Sequence, residues 1–92
     1  MDKYYTVVIE KNALKQLSKI DHSQRILLLS YIKKNLDGTS NPRATGKPLK
    51  GNLKDYWRYR IGNFRIIADI VDQEVRIIII DIGHRKEVYE NY

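Results

Sequence analysis

The chain has 92 residues, 42% of them hydrophobic, and 17 Lys and Arg against 11 Asp and Glu give it a formal net charge of +6. This length makes one domain, residues 1–92, with a single small core. The lack of cysteine excludes disulfide scaffolds, cysteine nucleophiles and thiolate metal sites. His22 and His84 lack metal-ligand spacing, so neither a metal nor another cofactor is expected. The N-terminal MDKYYTVVIEKNA has no signal-peptide pattern, and no window approaches the roughly 18 apolar residues that cross a membrane. A cytoplasmic protein without a membrane partner is expected.

In chain order, Tyr4 to Ile9 is β-branched and aromatic, as a strand would be. Asn12 is placed to cap a helix carrying Leu14, Leu17 and Ile20 on one face. Asp21-His22-Ser23-Gln24 has the form of a capping box. It opens a longer helix with Ile26, Leu29, Ile32 and Leu36 at helical spacing, ended by Gly38. Thr39 to Asp55, with Pro42, Gly46, Pro48 and Gly51, reads as a loop. Three strands follow, Tyr56–Ile61, Phe64–Val71 and Glu74–Ile82, joined by the two-residue links Gly62-Asn63 and Asp72-Gln73. Gly83 to Tyr92 is a polar tail or short helical turn. The order β-α-α-β-β-β predicts an α+β domain. Its N-terminal strand, helical hairpin and three-stranded antiparallel meander form one mainly antiparallel sheet.

Charge is unevenly spread. Arg43, Lys47, Lys50, Lys54, Arg58, Arg60 and Arg65 stand against Asp55 alone in residues 43–65, and the rest of the chain is balanced. Such concentration fits either phosphate binding or a solvated face. The hairpin register sharpens the choice. A two-residue Gly62-Asn63 link pairs Arg60 with Arg65 and Arg58 with Ile67. Trp57, Tyr59, Ile61, Phe64, Ile66 and Ala68 then share one face, and Arg58, Arg60 and Arg65 the other. Directly opposed like charges are unfavourable in a sheet, and a bound phosphate would relieve them. The second link would pair Asp69 with Arg76. Ile67, Ile78, Ile80 and Ile82 are expected beside the arginines, to be covered by the tail or by a partner protein.

Leu53 to Ile66, LKDYWRYRIGNFRI, and Ile82 to Tyr89, IGHRKEVY, resemble the RelE-like toxins of the RelE/ParE superfamily, mRNA interferase branch. Together with the GKPLKGN loop and the element order, the resemblance covers nearly the whole chain. It implies the toxin of a type II toxin–antitoxin system: a metal-independent, ribosome-dependent endoribonuclease that inhibits translation. Its partners would be a neutralising antitoxin, the ribosome decoding site and mRNA. The implied catalytic residues are Arg58, Arg60, Arg65, Arg85 and Tyr89, with His84 as a further candidate for proton transfer. Lys47, Lys50, Lys54 and Arg43 are the expected RNA contacts. Well-known members carry lysine where Arg58 and Arg60 stand. Arginine keeps its proton, so these two are assigned to phosphate binding and transition-state stabilisation, not to a base. The alternative is a ParE-like toxin that poisons DNA gyrase without cutting RNA. Such toxins typically lack the arginine–tyrosine ending present here.

Overall fold

The computed structural model describes residues 3–49 and 56–84. Strand β1 (Thr6–Ile9) leads into helix α1 (Lys11–Ser18) and helix α2 (His22–Tyr31), which continues as a wider π-helical turn over Ile32–Leu36. Four strands follow: β2 (Lys47–Pro48), β3 (Tyr56–Ile61), β4 (Phe64–Val71) and β5 (Arg76–His84). They form one sheet in the order β1-β5-β4-β3-β2. Only β1 runs parallel to its neighbour, pairing Thr6 with Arg76 and Ile9 with Ile79; the other neighbours are antiparallel. The expected α+β architecture is therefore present, with one addition: the segment read as loop contributes the two-residue edge strand β2.

The helical hairpin covers one face of the sheet. Ala13 and Leu17 of α1, and Leu28, Ile32 and Leu36 of α2 and its extension, are buried against Tyr59, Ile61, Phe64, Ile66, Ala68, Ile70, Ile77, Ile79 and Ile82. The apolar faces of the helices differ from expectation. Leu14, Ile26, Leu27 and Leu29 are exposed, and Ala13 and Leu28 take the inward positions. An unbroken Ile26-Leu27-Leu28-Leu29 run offers two apolar stripes, and its periodicity cannot choose between them. The caps differ as well. Glu10, not Asn12, precedes α1. Asp21 precedes α2 without a side-chain cap; its carboxylate instead accepts the Ser23 hydroxyl at 2.6 Å.

The β3–β4 hairpin has the expected register, from Ile61–Phe64 through Arg60–Arg65 to Trp57–Ala68. Gly62, at φ 58°, supplies the left-handed turn. The second hairpin corrects expectation twice. Val71 pairs with Arg76 and Asp69 with Ile78, not Arg76, because the connection is four residues long: a 3-10 turn at Asp72–Glu74, then Val75 in the left-handed region. The shift of two preserves which face each residue occupies. A β-bulge then changes it. Ile67 pairs with Asp81 and Ala68 with Ile79, leaving Ile80 as the extra residue. Beyond the bulge the faces exchange, so Ile82 enters the helix-side core, not the arginine face, and Asp81 takes the position beside Ile67. Helix α1 secures this stretch, since Gln16 Oε1 accepts the Ile82 backbone N–H at 2.8 Å.

Candidate functional site

Arg58 and Arg60 stand two residues apart on β3, on the face away from the helices. Beta2 lies alongside and pairs Lys47 with Arg58, so two cations are opposed across the sheet edge. There Lys47, Arg58 and Arg60 line a groove of about 350 Å³ with Tyr31, Thr45 and Gly46. Among the described residues that line it there is no carboxylate. A groove walled by three cations is suited to a phosphate, whose oxygens accept charge-assisted hydrogen bonds.

Residues 39–49 are held closely against the sheet. The Tyr59 hydroxyl donates to Pro42 O at 2.6 Å, and the Trp57 indole N–H donates to Thr45 O at 2.7 Å. The Tyr31 hydroxyl and Thr45 Oγ1 are 3.0 Å apart. Arg43 donates two hydrogen bonds of 3.0 Å to Asp72, which also accepts the Tyr5 hydroxyl at 2.6 Å. These two donors, Arg43 first, hold the Asp72 carboxyl below its ordinary range. Burial pushes the Tyr59 phenol up, so it serves as a neutral donor.

The expected site residues therefore separate. Lys47, Arg58 and Arg60 share the groove. Arg65 is opposite Arg60 as expected, but it is fully buried, with Asp81 (5% exposed) diagonal to it on the same face. Such a buried guanidinium is part of the sheet's interior, not an open phosphate ligand. Arg43 is engaged with Asp72 and lies 6.0 Å from the Trp57 ring centre. His84 projects to the helix side, where its ring meets Phe64 at 4.8 Å; it lines a second groove with Gln16, Lys19 and Asn63. It is thus across the sheet from the arginines. Lys50, Lys54, Arg85 and Tyr89 lie outside the described residues. Sequence reasoning missed Tyr31, Thr45 and Gly46 as groove residues. The adjacency of Gly46 and Lys47 was the available signal.

Of the apolar group expected on the arginine face, Ile67 is buried and Ile78 and Ile80 are half-buried. Among the described residues there is no group of three or more metal-ligating side chains, and no helix is long and apolar enough to cross a membrane.

Comparison with known proteins places this geometry in a family. Residues 7–89 match the family described as ParE toxin of type II toxin–antitoxin system, ParDE. Toxin RelG of Mycobacterium tuberculosis is 29% identical over 85 residues, which are 92% of this chain and 95% of that protein. The toxin–antitoxin complex RelBE2 from the same organism contains a chain that superimposes with a TM-score of 0.81 at 26% identity, covering 92% of this chain and 98% of its own. Isolated E. coli RelE toxin shares the fold, with a TM-score of 0.71 at 24% identity over 95% of this chain and 93% of its own.

Proposed function

Because the chain belongs to the RelE/ParE family of type II toxin–antitoxin toxins, we propose that it is an endoribonuclease that cuts mRNA on the ribosome and so stops translation. The observation that carries this reading is the groove in which Lys47, Arg58 and Arg60 converge. In the proposed reaction the ribose 2′-hydroxyl loses its proton and attacks the adjacent phosphorus. The bond to the 5′-oxygen breaks, and that oxygen takes up a proton. The products are a 2′,3′-cyclic phosphate and a 5′-hydroxyl. Negative charge builds on the phosphoryl oxygens in the pentacoordinate transition state. Fixed cations there stabilise it more than the ground state, which is what lowers the barrier.

Arg58 and Arg60 hold and polarise the phosphate. Neither serves as the base, because a guanidinium does not release its proton in this range. Proton transfer is assigned to Tyr89 and Arg85 on the sequence resemblance alone. His84 is left out of this assignment because its ring faces the helices. The partner in the resting state is proposed to be a small antitoxin; several similar toxins have been solved in complex with RelB proteins.

The gyrase-poisoning reading has its own support, since the matching family carries the ParE name. Expression of the chain without an antitoxin separates the two. The RNA reading expects growth arrest with mRNA cut inside reading frames on ribosomes. Intact mRNA with trapped gyrase–DNA cleavage complexes would establish the other.

A further inference from the structure

Lys47 was expected to contact RNA from a loop, and its surroundings are tightly specified. It immediately follows Gly46, whose φ of 81° favours glycine. A Cβ on Gly46 would collide with the Arg58 carbonyl oxygen and come within 2.6 Å of Trp57 Nε1 and 3.1 Å of Trp57 Cδ1. Just before it, Thr45 O accepts the indole N–H of Trp57 at 2.7 Å, and Arg43 lies 6.0 Å from the same ring. Trp57 therefore contacts the strap at successive points. It also precedes Arg58 on β3, and its own Cα partner is Pro48 while that of Arg58 is Lys47.

We propose that Trp57 is a positioning residue for the phosphate groove: the indole fixes the Thr45–Gly46 turn so that Lys47 stands opposite Arg58 and supplies the third cation at the reacting phosphate. The proposal rests on the RNA-cleavage reading for what the groove binds. Its physical content is the hydrogen bond and the close packing. An unlocked strap would leave Lys47 attached to the chain but spread over many orientations, and misplacement of about 1 Å at a reacting centre lowers rates by as much as a hundredfold. Trp57 would touch no RNA; its effect would pass entirely through Lys47.

This dependence is tested by a double-mutant cycle on the full chain. Trp57→Phe keeps a ring in place and removes the N–H donor. Its single-turnover cleavage rate at saturating ribosome should fall roughly ten- to a hundredfold, with ribosome affinity nearly unchanged. Lys47→Ala should fall comparably, and Trp57→Phe combined with Lys47→Ala no further than Lys47→Ala alone. Gly46→Ala provides a second route to the same state. It should also shift the emission of the chain's single tryptophan. Additive losses, or a Trp57→Phe enzyme as fast as wild type, would overturn the proposal. Should wild type itself cut no ribosomal mRNA, it is the RNA-cleavage reading that fails. The cycle is then read from the salt dependence of binding to a single-stranded RNA decamer. Each single change should reduce the slope by about 0.7, and the pair by no more than one of them; independent reductions would again contradict the lock.

Discussion

Arg58 and Arg60 differ from Arg65 in the property that matters for chemistry, access to solvent. The first two line an open groove, and the third is enclosed. Arg60→Ala should therefore lower the saturated cleavage rate by about 10²- to 10³-fold, as loss of one transition-state donor does, with little change in melting temperature. Arg65→Ala should behave in the opposite way, destabilising the fold by about 2–4 kcal/mol through the cavity it leaves; thermal unfolding of the two variants decides this. The sequence register alone pointed to three equivalent arginines, because burial on the far face of the sheet depends on which residues cover it. Asp72 gives a residue-level prediction in pH. Arg43 and Tyr5 depress its folded pKa, so its contribution is present above the unfolded value of about 3.8 and is lost as pH falls through the lower folded value. Wild type should lose stability over that acid range more steeply than Asp72→Asn, as acid titration followed by circular dichroism would show. Equal acid limbs would mean that the Arg43–Asp72–Tyr5 cluster contributes nothing.

Among the elements, the β3–β4 hairpin was fully legible, since Gly62-Asn63 between alternating strands fixes both loop length and register. The β4–β5 connection was not. Asp72-Gln73 resembles a tight link, but the chain closes through a 3-10 turn, with non-glycine Val75 at φ 54°. The bulge at Ile80 was equally hidden, because an Ile77-Ile78-Ile79-Ile80 run has no polar residue to mark a change of face. Helix α2 shows the same ambiguity in apolar form, and it can be tested directly. Leu28→Ala should destabilise by about 2–5 kcal/mol, whereas Ile26→Ala, at 50% exposure, should change stability by less than about 0.5 kcal/mol. The reverse order in denaturant unfolding would return α2 to the face that its periodicity suggested. Residues 39–49 were read as loop from their Gly and Pro content, yet the aromatic anchors Tyr31, Trp57 and Tyr59 come from distant positions in the chain. Such anchoring is set by tertiary packing and leaves no local pattern.

At the level of the whole molecule, the excess charge of residues 43–65 and the fold act together. The sheet brings Lys47 beside Arg58 and Arg60 at one edge, while Arg43 is tied to Asp72 and Arg65 is enclosed. The positive field thus has a defined outlet, suited to a polyanion approaching the β2–β3 side of the sheet. RNA and gyrase-bound DNA are both polyanionic, so charge alone does not choose between the two toxin activities. Cleavage chemistry does. The most direct measurement uses purified chain with ribosomes stalled on a defined mRNA, analysing the ends of any fragments, alongside gyrase acting on supercoiled plasmid. The expected result is mRNA fragments bearing 2′,3′-cyclic phosphate and 5′-hydroxyl ends, lost when Arg58 and Arg60 are replaced by alanine, and unimpaired gyrase. Uncut mRNA together with accumulated gyrase–DNA cleavage complexes would contradict it.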